Sequence, residues 1–306
     1  MHPLTGSITA VNHVVEWMSF HLVDQPGAAW TRCEQALSDP DFFDRWRASV
    51  AGWLGERRRN PAAPGNTAPD NTTTYTVNDN TARHTGGAVG DAPETDVPER
   101  TTAGYVLQWY LGVPTYLGAM LFHSARRVPA LQPSRLAFRF EPGWVEAVAL
   151  QPGRFWCLPD DPDAEHADAV VVPDDAALGA VLRREVVSHA AHFLRIYGPM
   201  VRFGRRTLWA AVTDGLDTGL LLAGRSFGSA QAGAADARLV LAERFEPLTA
   251  ASTICQVTDD RGRIHWTRRR GSCCFSYAMP DMGPCATCPR TDDEERARIL
   301  GTLDQP

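Results

Sequence analysis

Four of the seven cysteines fall within sixteen residues near the C-terminal end, as Cys273-Cys274, a ten-residue spacer, and Cys285-Ala286-Thr287-Cys288. No other feature constrains the chain as tightly. Four thiols this close in sequence suit an iron–sulfur or zinc site, because either takes four thiolate ligands. The CxxC supplies two ligands from one tight turn, and the spacer brings the doublet round to them. Consecutive side chains normally diverge. Both members of the doublet can ligate only where the backbone bends sharply, or where each serves a different metal atom. That favours a two-iron cluster over a single tetrahedral ion. Zinc knuckles and ribbons usually pair two CxxC-type elements, yet a structural zinc site and a redox dithiol or disulfide remain open on the cysteines alone. Cys33, Cys157 and Cys255 are scattered.

Around this segment stand 306 residues, enough for a substantial core, with 44% hydrophobic and 22% charged residues as in an ordinary globular protein. The net charge of −6 argues against nucleic acid as the main partner, since phosphate binding needs a concentrated positive surface. All 30 basic residues are arginine. That reads first as coding bias, and second as chemistry suited to planar, oxygen-rich ligands. Residues 1–23 lack a basic n-region, a clean apolar core and a small-residue cleavage site, so no signal peptide is expected. No run of apolar residues is long enough for a membrane span. Reduced thiols fit a cytoplasmic location.

The chain reads as α+β: helix-rich, with a small central antiparallel sheet and a C-terminal iron–sulfur loop. An N-terminal helical region covers 1–54, with one helix over 8–24 and a second opening at Asp39 as N-cap and Pro40 at the first helical position. Residues 55–100, rich in Pro, Thr, Asn, Gly and Asp, read as a flexible low-complexity insertion whose middle Tyr75 and Val77 anchor. An α+β core covers 101–250. Helical periodicity over 102–124 is interrupted at Gly112 and Pro114, which predicts a break or kink. Strands follow at 136–140, 145–150, 155–158 and 168–172, then helices at 175–203 and 205–225 and a Gly/Ala-rich break at 228–235. His189 and His192, one turn apart, read as structural. A hairpin, 253–257 and 263–266 across Asp259-Asp260-Arg261-Gly262, opens the region 251–306 that carries the cysteines.

No Walker motif, GxSxG elbow, HExxH, flavin or nicotinamide fingerprint is present. The string RRRGSCCFSYAMPDMGPCATC, residues 268–288, resembles the FhuF family of siderophore-iron reductases. The resemblance implies a [2Fe-2S] cluster held by Cys273, Cys274, Cys285 and Cys288. It implies a ferric-siderophore reductase that passes one electron to Fe(III) in a chelate, of hydroxamate type, and releases Fe(II) in the cytoplasm. Electrons would come from an external donor such as a ferredoxin or an NAD(P)H-dependent reductase. Two other classes stand beside it: an iron–sulfur electron-transfer or redox-sensing protein without a siderophore, and a zinc-stabilised binding protein. Arg268-Arg269-Arg270 is either a group that compensates the cluster's charge or docks an anionic partner, or a solvated basic turn. Gly271 is the expected site of the bend that the doublet needs.

Overall fold

Residues 99–125 carry apolar side chains on nearly every face, and a helix without a polar side must be enclosed. In the computed structural model, which describes residues 1–59, 97–141, 144–279 and 282–302, this stretch is α4 (Glu99–Ala125), the helix round which the others pack. Nearly every residue from Thr101 to Phe122 is buried. The helix runs on through Gly112 and Pro114, where the sequence predicted a break. Proline removes one hydrogen bond, but close packing holds the helix together at this point. Thr115 Oγ1 donates to the Leu111 carbonyl at 2.8 Å, and Gly219 of α6 (Arg205–Ser226) sits against the Thr115 backbone. Among the described residues no helix is long and apolar enough to cross a membrane.

α1 (Leu4–Val14), α3 (Phe42–Arg59), α5 (Asp175–Tyr197) and α6 all pack on α4, and α7 (Ala230–Val240) packs on α5 and α6. The predicted helix over 8–24 ends ten residues early, and Ser19–Leu22 form strand β1 instead. The Asn12 side chain mimics a strand neighbour here: its Oδ1 accepts from Phe20 N at 2.8 Å and its Nδ2 donates to Phe20 O at 2.6 Å. A short helix, α2 (Cys33–Ser38), precedes α3. Asp39 caps a turn through Asp41 N at 3.0 Å and so delays the start of α3 to Phe42. α3 continues to Arg59, into the stretch read as an insertion, and α4 begins at Glu99. The rest of that stretch, 60–96 with Tyr75 and Val77, lies outside the described residues.

The Gly/Ala segment expected to break the chain is mostly helix α7, capped by Ser229, whose Oγ accepts from Ala232 N at 3.1 Å. Its small residues serve a close crossing: a Cβ on Gly233 would come 2.4 Å from the Leu220 carbonyl of α6. α5 begins as expected, with Asp174 accepting from Ala177 N at 2.8 Å, and ends at Tyr197.

The fold is α+β and helix-rich, with three small sheets. β4 (Leu136–Glu141) and β5 (Trp144–Leu150) form the predicted antiparallel hairpin; Pro142 and Gly143 of its turn lie outside the described residues. β1 extends this sheet in parallel beside β5, and β2 (Thr31–Arg32) closes the other edge. β6 (Phe155–Cys157) and β7 (Ala169–Val171) do not join it. They form a second sheet with β3 (Val128–Pro129), with β6 antiparallel to β3 and parallel to β7. β8 (Ile254–Thr258) and β9 (Ile264–Arg268) form the expected C-terminal hairpin, followed by the cysteine loop and α8 (Asp293–Thr302).

Candidate metal centre

The hairpin turn is built by Asp259. Its Oδ1 accepts from Arg261 N and Arg263 N, both at 2.9 Å, and Gly262 supplies the positive φ of +77°. β9 then carries the chain to the cysteines: His265 and Thr267 face inward, the alternation shifts at Thr267 and Arg268, which are both buried, and beyond that shift Arg270 turns inward and Arg269 out. Arg269 pairs with Asp293 at 2.8 Å on the surface. Arg268 and Arg270 are only 5% and 4% exposed, so the triplet is not a solvated basic turn.

Two helices position the loop. On α6, the buried Asp214 accepts from Gly271 N at 2.9 Å through Oδ1, and from Ser272 N at 2.8 Å and Ser272 Oγ at 2.5 Å through Oδ2. On α4, Gly104 lies against the Cys274 backbone, and Thr101 Oγ1 donates to the Phe275 carbonyl at 3.0 Å. The sharp bend falls at Phe275, in the left-handed region at φ 61°, and not at Gly271.

The four thiols close into a ring: Cys273 touches Cys274 and Cys288, and Cys285 touches the same two. Hydrogen bonds from Cys273 and Cys285 push the Cys274 thiol well below its ordinary value and that of Cys288 down to about 3. The two donors are held up in turn. Cys274 and Cys288 are 2% and 3% exposed, while Cys273 and Cys285 are partly open. Each sulfur also has a partner two residues on. Phe275 N donates to Cys273 at 3.3 Å and Arg290 N to Cys288 at 3.5 Å; Ser276 Oγ meets Cys274 at 3.0 Å and Thr287 Oγ1 meets Cys285 at 3.5 Å. Among the described residues no three or more His, Cys, Asp or Glu side chains are placed to hold a single metal ion. The four thiols stand together as neighbours in the ring.

Arg270 supplies the balancing charge. Burial alone would lower its guanidinium, but the negative charge of Cys274 and Asp214, and then of Cys285 and Cys273, holds it above its ordinary value. Its Nε lies 3.7 Å from Asp214 Oδ2 and has no hydrogen-bond partner among the described residues. A buried cation with a spare donor, beside four soft thiolate donors, fits a thiolate-bound cluster carrying net negative charge. Burial raises Tyr105, also beside the ring, and the charge of Cys274 adds to this. The partly exposed rings of the loop are Phe275, stacked on Phe203 at 5.2 Å with Arg100 at 5.9 Å, and Tyr277, faced by Arg290 at 4.6 Å.

The other three cysteines stand apart as free thiols. Burial raises Cys33, which lies beside Tyr110. His189 is buried, bonded to the Leu131 carbonyl at 2.6 Å and to Tyr110 at 3.2 Å, whereas His192 is exposed and bonds Ser188 O at 2.9 Å. A surface cleft of about 400 Å³ beside α5, lined by Arg183, Arg184, Val187 and Phe245 among others, contains none of the cysteines. Sequence reasoning found the cysteines but missed Gly104, Thr101, Asp214, Ser276 and Thr287. The serine and threonine had a readable signal, each standing two residues after a cysteine. Asp214 had only the weaker signal of an acid, shared with Asp217, in the largely apolar middle of a helix.

A soft, closely packed thiol set with a buried cation suits an iron–sulfur cluster. Residues 270–290 match the family model of the FhuF 2Fe-2S C-terminal domain, so in this segment the chain is FhuF-like and the cofactor that the domain implies is a [2Fe-2S] cluster. No curated protein matches the chain.

Proposed function

We propose that this protein is a cytoplasmic ferric-siderophore reductase, with Cys273, Cys274, Cys285 and Cys288 as the ligands of its cluster. The observation that carries the reading is the thiol ring lying within the matched FhuF segment. A four-cysteine [2Fe-2S] centre supplies one electron at low potential. Fe(III) held by hydroxamate oxygens is the substrate; those hard donors bind Fe(II) far less well, so one electron loosens the chelate and frees the iron.

The chain's own residues have three tasks in this scheme. The cysteines hold the cofactor, and Asp214 and Gly104 fix the loop that presents them. Arg270 offsets negative charge in a buried setting where that charge would otherwise be costly. Cys273 and Cys285, the partly open thiols, mark the side from which a chelate gains electronic contact. The half-buried Phe203, Phe275 and Tyr277, with Arg100 and Arg290, offer flat and cationic surface to an oxygen-rich complex. An external donor, such as a ferredoxin or an NAD(P)H-dependent reductase, returns the electron.

The test is the visible and electron paramagnetic resonance spectra of anaerobically purified protein, before and after dithionite. Charge-transfer bands that bleach, and a spin-half signal on reduction, are expected from the wild type and are lost in each single Cys→Ala variant at the four positions. Addition of ferric hydroxamates then restores the oxidised spectrum with release of Fe(II). A colourless protein with stoichiometric zinc sinks the reading. A reducible cluster that ferric chelates do not reoxidise leaves an electron carrier or sensor.

A further inference from the structure

Hydrogen bonds to the sulfurs are one of the terms that set an iron–sulfur potential, and they count most where water is excluded. Two of the four partners here are backbone N–H groups, at Phe275 and Arg290, which a side-chain substitution other than proline leaves in place. The other two are hydroxyls. Ser276 Oγ lies 3.0 Å from Cys274 Sγ and Thr287 Oγ1 lies 3.5 Å from Cys285 Sγ. Both residues are buried, at 3% and 9% exposure. Each hydroxyl is placed by its own backbone, two residues after its cysteine, so its position follows the sulfur it serves.

A free thiol can donate or accept, but a thiolate ligand can only accept. Once the four cysteines are ligands, both hydroxyls must therefore act as donors. Reduction adds negative charge that spreads onto the sulfurs, so a donor to sulfur is worth more in the reduced state than in the oxidised one. Such a bond raises the potential, and its loss lowers it.

We propose that Ser276 and Thr287 raise the reduction potential of this protein's centre by donating hydrogen bonds to Cys274 and Cys285. The proposal rests on the ligand assignment above and makes no use of the siderophore. Its content is that these two hydroxyls, and not the loop's packing alone, raise the potential at which the centre takes up its electron. They are positioning residues for charge, not catalytic ones.

The experiment is an optical redox titration of the full chain with mediators, on Ser276→Ala, Ser276→Thr, Thr287→Val and Thr287→Ser, with iron and sulfide measured on each. The two variants without a hydroxyl are expected to be harder to reduce, each by about fivefold in the one-electron equilibrium constant, or about 40 mV at 59 mV per decade. The two variants that keep the hydroxyl should stay near wild type. Unchanged potentials in iron-replete Ser276→Ala and Thr287→Val overturn the proposal, as does an equal shift in Thr287→Ser. Thr287→Val is nearly isosteric and decides the matter should Ser276→Ala assemble poorly. Failure of the ligand assignment reads out separately, as Cys274→Ala or Cys285→Ala protein that keeps its iron and its spectrum.

Discussion

Gly104 of α4 approaches Cys274 so closely that a Cβ at position 104 would stand 2.8 Å from the Cys274 carbonyl oxygen and 3.1 Å from its carbonyl carbon. The neighbour is backbone, next to the sharpest bend of the loop, and cannot swing aside as a side chain would. The helix and the cysteine doublet are therefore fitted to each other through the absence of one methyl group.

Gly104→Ala should displace the doublet and cost about 1–3 kcal/mol, the usual range for overpacking a fitted interior. Lowered iron content and melting temperature would report it. Gly52 of α3 is the control, since nothing lies within 4 Å of its would-be Cβ. There the same substitution should stabilise by about 0.5–1 kcal/mol through helix propensity. Equal effects at the two sites would mean that the contact with Cys274 has no consequence.

Asp214 carries the loop's hydrogen bonds from the opposite helix. Asp214→Ala leaves Gly271 N and Ser272 N without their acceptor and Arg270 without its nearest carboxylate. Removing one partner of a buried ion pair typically costs about 3–5 kcal/mol. Urea denaturation of the variant should show a loss of that size, with poor retention of iron.

The ligands were legible because metal chemistry demands particular residues at short spacing, and the CC-x10-CxxC pattern contains nearly all of that information. The supports were not legible. Asp214 stands 58 residues before Ser272, and Gly104 is 170 residues before Cys274, so only tertiary packing joins them to the loop. Local pattern also failed where a tertiary neighbour overrode it. Asn12 turned an apolar helix-like stretch into strand β1, and the close crossing of α6 and α7 made a helix from glycines and alanines that read as a break. The arginine triplet is a further case. Continuing the period of two from His265 and Thr267 places Arg269 inside, but the alternation shifts at Thr267 and Arg268, so Arg268 and Arg270 are buried and Arg269 is exposed.

Arg270 and Asp214 should move the potential in opposite directions. Arg270→Met removes a buried positive charge beside Cys274, which makes an added electron less favourable and lowers the potential. Asp214→Asn removes a negative charge from the same surroundings and raises it. Partial screening by the remaining partner suggests shifts on the order of tenfold in the equilibrium constant, about 59 mV each. Shifts of the same sign would show that the loop's geometry, and not its charge, governs the potential.

His189 links stability to pH at a distance from the cysteines. Burial pushes its imidazole from 6.5 down to about 4, the nearby His192 adds to this, and the bond to the Leu131 carbonyl opposes it only in part. Between these values the unfolded chain binds a proton that the folded chain excludes, so stability rises with pH across that window and falls as the solution is acidified. The difference is worth about 3 kcal/mol at full extent. Stability measured by urea denaturation should therefore be level above pH 6.5 with respect to this group, decline from there, and flatten below about pH 4. His189→Asn cannot take up the proton. It should be less stable at neutral pH, having lost the contact with Tyr110, yet show a shallower decline through the same window. An unaltered decline in that variant would assign the pH dependence to other groups.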